Sequence, residues 1–230
     1  MLTLKKLSLI SLLLLSPLLL SGCKKKKSNE TATEPTPASR LIELDDTQKP
    51  DITLTPRADG HELKLKIDKI PEGTTQIEYE LIYTASDDGT AIIEKGLGDL
   101  INLENENSIE RDLLLGTSSC TNGCKYKYDE GITGGTLSLQ FIFKNDQVAL
   151  FETNWAIADD KSIVKNGLSL ADIKINVSSL SPGFYLLFQT YSTAPEYLVT
   201  SSSLAQAKGL SLVPETLNKE NPNLLTGIYR

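Results

Sequence analysis

Three cysteines, one histidine and several paired carboxylates are the residues of this 230-residue chain whose types and spacing could do chemistry. Cys120 and Cys124 stand four apart in Ser119-Cys120-Thr121-Asn122-Gly123-Cys124. Such a pair can be a redox couple, half of a metal site or a local disulfide. Redox couples generally have two residues between the thiols and sit at a helix start, which lowers the thiol pKa; here three residues of turn character intervene. A structural zinc needs four ligands, and His61 is the only imidazole on offer. His61 would also have to serve any Ser-His-Asp or Cys-His arrangement, yet it directly follows Ala58-Asp59-Gly60 with no nucleophile motif beside it. A solvent-facing strand residue is its expected role. Asp87-Asp88 and Asp159-Asp160 could serve a glycosidase or hold calcium, but neither fits an EF-hand loop, and turn formation or capping accounts for both. No catalytic residue, metal site or cofactor is therefore expected. Tyr126 and Tyr128, set in Lys125-Tyr126-Lys127-Tyr128, are either a weak binding patch or same-face neighbours on a half-buried strand, and their spacing favours the strand. Trp155, the only tryptophan, alternates with Phe151 and reads as core.

The third cysteine, Cys23, belongs to the leader. Lys5 and Lys6 precede an almost wholly apolar run over 7–20, broken by Pro17. The run is shorter than the roughly 20 apolar residues that span about 30 Å of hydrocarbon, and it suits a secretory signal instead. Leu20-Ser21-Gly22-Cys23 resembles the lipobox of bacterial lipoproteins. That resemblance implies a diacylglycerol on the Cys23 sulfur and cleavage before it by signal peptidase II, so that 1–22 is removed. Lys24, Lys25, Lys26 and Lys27 would oppose an uncleaved spanning helix, because they compete with Lys5 and Lys6 to remain inside. Beside a lipid anchor they either contact anionic headgroups or keep the tether soluble. In an exported chain the expected state of Cys120 and Cys124 is a disulfide across the Asn122-Gly123 turn, with redox and metal roles as the alternatives.

After the anchor, 23–50 reads as a disordered tether. The stretch Ser-Asn-Glu-Thr-Ala-Thr-Glu-Pro-Thr-Pro from Ser28 is poor in apolar residues and cannot offset its own ordering entropy. A folded domain is expected over 51–203, and an irregular tail over 204–230. Net charge is −7, or −9 once Lys5 and Lys6 leave with the signal, and no basic face interleaved with aromatics is present. Nucleic acid is excluded as a partner on that ground.

Within the domain, short alternating runs are separated by turn residues, which predicts antiparallel strands. Leu63, Leu65 and Ile67 share a face, as do Ile77, Tyr79, Leu81 and Tyr83. Further strands are expected over 137–144, 148–157, 170–177, 185–191 and 197–201. The segment Pro71-Glu72-Gly73 with Ile77-Glu78-Tyr79-Glu80-Leu81 resembles the B–C turn and C strand of fibronectin type III domains. Leu180-Ser181-Pro182-Gly183-Phe184-Tyr185 is similar to the corner before their penultimate strand, where a tyrosine packs back on the turn. It is also similar to a segment of collagen-adhesin B-type pilin domains, but Gln189 stands where those carry the glutamate that assists an isopeptide bond, so no crosslink is expected. The fold class is all-β: an antiparallel immunoglobulin-like sandwich with an enlarged middle region over 91–135.

These features predict a non-enzymatic binding or structural module, lipid-anchored on the extracytoplasmic side of a cell or outer membrane. Membrane lipid, through acylated Cys23, is one expected partner, and an envelope protein or glycan the other. The alternative is an envelope hydrolase acting on glycans or esters, with carboxylates gathered by the fold.

Overall fold

The computed structural model describes residues 40–87, 91–121, 123–171, 173–177, 179–191 and 197–202. The lipobox with Cys23, Lys24 to Lys27, Asp88, Asn122 and the 204–230 tail lie outside them. Among the described residues, no helix is long and apolar enough to cross a membrane.

Alternation of apolar and polar residues dictates strands, because successive side chains of an extended chain point to opposite faces. In β2 (Asp51–Pro56) Ile52 and Leu54 face inward, and in β3 (Glu62–Asp68) Leu63, Leu65 and Ile67 are wholly buried. These two strands and β6 (Ser108–Leu114) form a three-stranded antiparallel sheet, ordered β2-β3-β6. A larger sheet faces it. Its strands are β4 (Thr74–Asp87), β5 (Ala91–Asn102), β9 (Gly134–Phe143), β10 (Val148–Asp159), β13 (Phe184–Gln189) and β14 (Tyr197–Thr200), ordered β14-β13-β10-β9-β4-β5, with the short β1 (Leu41–Ile42) added beside β10.

The inner faces of the two sheets share one apolar cluster, to which Leu54, Leu65, Leu81, Leu139, Phe141, Trp155 and Phe188 all belong. The fold is thus the all-β, antiparallel, sandwich-like architecture expected. At roughly 2 kcal/mol for each fully buried large side chain, this cluster is the dominant source of stability.

A second cluster lies around Ala156, Tyr185, Leu187 and Val199 of the larger sheet. It is capped by helix α1 (Asp160–Asn166) through Ile163 and by the hairpin of β11 (Leu168–Leu170) and β12 (Ile173–Ile175) through Leu168 and Ile175. The Tyr185 hydroxyl donates to the Ser181 carbonyl at 2.9 Å, so the tyrosine does pack back on its turn.

Two expectations are corrected. The tether does not extend to Pro50 as an unstructured chain: β1 (Leu41–Ile42) pairs in parallel with the start of β10, and Leu44 is buried in the main cluster. Ile42 and Leu44 supply the apolar anchor that the preceding Ser/Thr/Pro stretch lacks. The 170–177 run is not one strand either. It straddles a turn at Ala171, at φ 52, because Leu168 and Ile175 pair across a hairpin and bury together.

Candidate functional site

The enlarged middle region builds the most exposed hairpin among the described residues. After β6, Leu115 is wholly buried and roots the chain, its N–H donating to the His61 carbonyl at 2.9 Å. The chain then leaves the sandwich as a two-stranded hairpin of β7 (Gly116–Cys120) and β8 (Cys124–Tyr128), which among the described residues pair only with each other. Nearly every residue of this arm is exposed. Cys120 and Cys124 close its tip as a disulfide, with sulfurs 2.17 Å and Cα atoms 4.1 Å apart.

Register sorts the arm into two faces. Tyr126 lies opposite Ser118 and Tyr128 opposite Gly116, on the same side as the disulfide; Lys125 and Lys127 lie opposite Ser119 and Thr117 on the other side. Gly116 is required there, at φ 154, since a Cβ would stand 2.3 Å from the Lys127 carbonyl oxygen. The tyrosine spacing does mark a strand, as expected, but the strand is not half-buried throughout: Tyr126 is 51% exposed. The Tyr128 ring stacks on Tyr126 at 6.0 Å and on His61 at 3.9 Å, with interplanar angles of 4° and 6°. His61 is therefore not a free solvent-facing residue but the innermost ring of a three-ring stack.

Charged side chains brace this stack. Arg57 lies 5.8 Å from the Tyr128 ring centre, donates to Asp59 at 2.7 Å and also pairs with Glu62. Asp59 in turn accepts from the His61 backbone N–H at 3.1 Å. The Arg57 hydrogen bond holds the Asp59 carboxyl below its ordinary pKa, with partial burial opposing and the His61 N–H assisting. The base of the arm is pinned by Asp129, whose side chain is 6% exposed and accepts from the Tyr83 hydroxyl at 2.8 Å and from Lys95 at 2.5 Å. Burial, and then the bond to Asp129, push the Tyr83 phenol pKa up.

Beside the arm is a cleft of about 680 Å³. Four segments wall it: the β2–β3 turn with Asp59, Gly60 and His61; the β8–β9 connection from Asp129 to Thr133; the end of β10 from Ala156 to Asp159; and α1 with β11, presenting Ser162, Asn166 and Ser169. Phe184 completes the lining and lies against Gly60, whose φ of 74 and missing Cβ both matter, because a Cβ would come within 2.8 Å of that ring. His61 belongs to both features, stacking on Tyr128 and lining the cleft.

Three of the four cleft carboxylates have fixed partners. Asp59 faces Arg57, Asp129 holds Lys95 and Tyr83, and Asp159 caps α1 by accepting from Lys161 N, Ser162 N and the Ser162 hydroxyl. The Asp159 carboxyl is held below its ordinary pKa, chiefly by the Ser162 hydroxyl. Glu130 is exposed. Among the described residues, no group of three or more His, Cys, Asp or Glu is arranged to hold a metal ion.

Of the residues singled out from sequence, Tyr126, Tyr128, Cys120 and Cys124 come together on the arm, His61 stacks against them from the β2–β3 turn, Asp159 lines the adjoining cleft, and Trp155 is core. Arg57, Glu130, Asn166 and Ser169 were not singled out. The local signals near them are the turn pairs Asp59-Gly60 and Asn166-Gly167. No family model matches the sequence, and no curated protein or solved structure matches it either.

Proposed function

We propose that this chain is a lipid-anchored envelope protein that displays a non-enzymatic β-sandwich binding module outside the membrane. One observation supports the reading: the point where the chain enters the domain and the candidate site lie at opposite ends of β10. The chain enters the domain through β1, which pairs with Val148 and Ala149, whereas the cleft uses Ala156 to Asp159. At about 3.3 Å per residue these positions are separated by on the order of 30 Å along the strand. An acyl chain on Cys23, followed by the Ser/Thr/Glu/Pro-rich segment, would thus attach the domain through the end remote from its aromatic arm and cleft.

The state of the carboxylates favours binding over hydrolysis. A general acid needs a raised pKa, whereas Asp59 and Asp159 are both lowered by their partners. Their charges are committed to holding Arg57 and α1 in place.

Two measurements test the reading. Cys23→Ala should yield an uncleaved, unacylated precursor; normal cleavage and detergent-phase partitioning of that variant would overturn the anchor. Membrane-impermeant iodination of intact cells, or of the exposed leaflet in lysed cells, should modify Tyr126 on the acylated protein. Protection of Tyr126 by the membrane itself would overturn the outward orientation.

A further inference from the structure

From the chemistry of the arm and cleft we infer that the ligand is a glycan, uncharged or amine-bearing, that lies along the cleft and packs a sugar face on the exposed Tyr126 ring. The inference rests on the display reading, and it adds the ligand class and the residues that select it.

The shape argues first. A concavity of about 680 Å³ falls within the usual range for small-molecule sites, about 300–1,000 Å³. A stable protein contact instead needs roughly 800 Å² on each partner, and a five-residue-per-strand hairpin offers little flat surface of that kind.

The lining argues second. Thr133, Asn166 and Ser169 supply hydroxyl and amide groups that both donate and accept, the Ser162 hydroxyl, which donates to Asp159, can still accept, and Glu130 accepts only. A ligand rich in hydroxyls can satisfy such a mixture, whereas an acyl chain would leave these groups unpaired. The aromatic stack supplies the apolar part. A π face is the negative side of the ring quadrupole, and the C–H hydrogens on the flat side of a sugar ring carry partial positive charge. Tyr126 is half-exposed at the outer end of the stack, with its orientation fixed by Tyr128 and His61 beneath it.

The sign of charge argues third. Asp59, Asp129, Glu130 and Asp159 line the cleft; Arg57 and Lys95 offset the first and second, whereas Glu130 is exposed and Asp159 is bonded to neutral donors, so the net sign is negative. A polyuronate or phosphate-bearing glycan meets that field unfavourably; a neutral or aminated one does not.

The test is calorimetric titration of the full acylated chain in detergent with three probes of equal length: a neutral N-acetylated chito-oligosaccharide, its de-N-acetylated amine form, and an oligouronate. Saturable binding is expected for at least one of the first two, with the oligouronate at least tenfold weaker. Tyr126→Ala should weaken binding about five- to tenfold, as befits the loss of one aromatic contact. Lys127→Ala, on the opposite face, should leave it unchanged, and circular dichroism of both variants should match the parent.

Absence of saturable binding to all three probes would overturn the inference, as would oligouronate binding equal to the neutral chain or indifference to Tyr126→Ala. If every glycan fails while Tyr126 remains accessible on correctly acylated protein, the ligand assignment falls and the display reading stands. If Tyr126 is shielded by the membrane, the display reading falls whatever the titrations give.

Discussion

The sandwich core and the β7–β8 arm are built on opposite physical terms. In the core, Leu65, Leu81, Leu139, Phe141 and Phe188 are all wholly buried between two sheets. In the arm, all ten strand residues except Gly116 and Tyr128 are exposed, and one disulfide, one ladder of backbone bonds, the stacked rings of His61, Tyr128 and Tyr126 and the pins at its base define the shape. An isolated two-stranded hairpin is at best marginally stable in water. Stability therefore resides in the core, and the arm uses it as a platform: its side chains are free to serve a ligand because the fold does not need them. Each of the following substitutions should move one region more than the other.

The largest effect belongs to the core. Phe141→Ala removes a fully buried ring and should lower unfolding free energy by about 3–5 kcal/mol, read from the denaturant midpoint. The Cys120–Cys124 bond should survive in the folded fraction. A shift below about 1 kcal/mol would mean that the two sheets do not form a shared core.

Next comes the pin that joins the two regions. Asp129→Ala deletes the acceptor of the Tyr83 hydroxyl and the partner of Lys95, leaving both groups near a buried site. A loss of about 2–3 kcal/mol is expected, together with averaging of the Tyr126 and Tyr128 ring signals in NMR spectra. Loss of stability with an unchanged arm would show that Asp129 serves the core alone.

How much of this could be read from the chain follows the same division. Core strands announce themselves locally: Leu63-Leu65-Ile67 and Ile77-Tyr79-Leu81-Tyr83 carry a period of two, and burial on one face makes that period obligatory. The disulfide was legible as well, because Cys120 and Cys124 stand only four apart in sequence. Helix α1 was not. It spans Asp160–Asn166 and is too short to display a helical period, although Asp159 is the cap that a reading of Asp159-Asp160 as a capping or turn pair anticipates. The cleft was illegible for a different reason. Its walls come from near residues 60, 130, 158 and 168, and no local pattern brings Glu130 to Asn166 or His61 to Tyr128.

Opening the disulfide should separate arm from core more cleanly. Closing so small a loop is worth roughly 2 kcal/mol in the chain-entropy model, but that stabilisation belongs to the arm, since β7 and β8 pair with no other strand among the described residues. With Cys120→Ser and Cys124→Ser combined, amide exchange over 117–127 should quicken about thirtyfold, the equivalent of 2 kcal/mol. The global unfolding midpoint should shift by less than about 0.5 kcal/mol. Equal loss in both measurements would make the arm part of the cooperative core.

The smallest effect tests whether the cleft wall opposite the arm behaves as core or as arm. Asp159 caps α1, and α1 covers the second apolar cluster through Ile163 while lining the cleft through Ser162. Because hydrogen bonds to the charged form hold its folded pKa below the ordinary carboxyl value of about 3.9, the cap contributes fully above that pH and is lost as pH falls through the lower, folded-state value. Asp159→Ala should cost about 1 kcal/mol at neutral pH. Asp159→Asn retains an acceptor oxygen without the titrating charge, so it should keep most of the cap at neutral pH and shed its share of the acid sensitivity. If Asp159→Asn unfolds α1 at neutral pH as readily as Asp159→Ala, the charge itself holds that wall. If it keeps the full acid sensitivity of the parent, the acid response originates elsewhere, and α1 belongs with the core rather than with the site it borders.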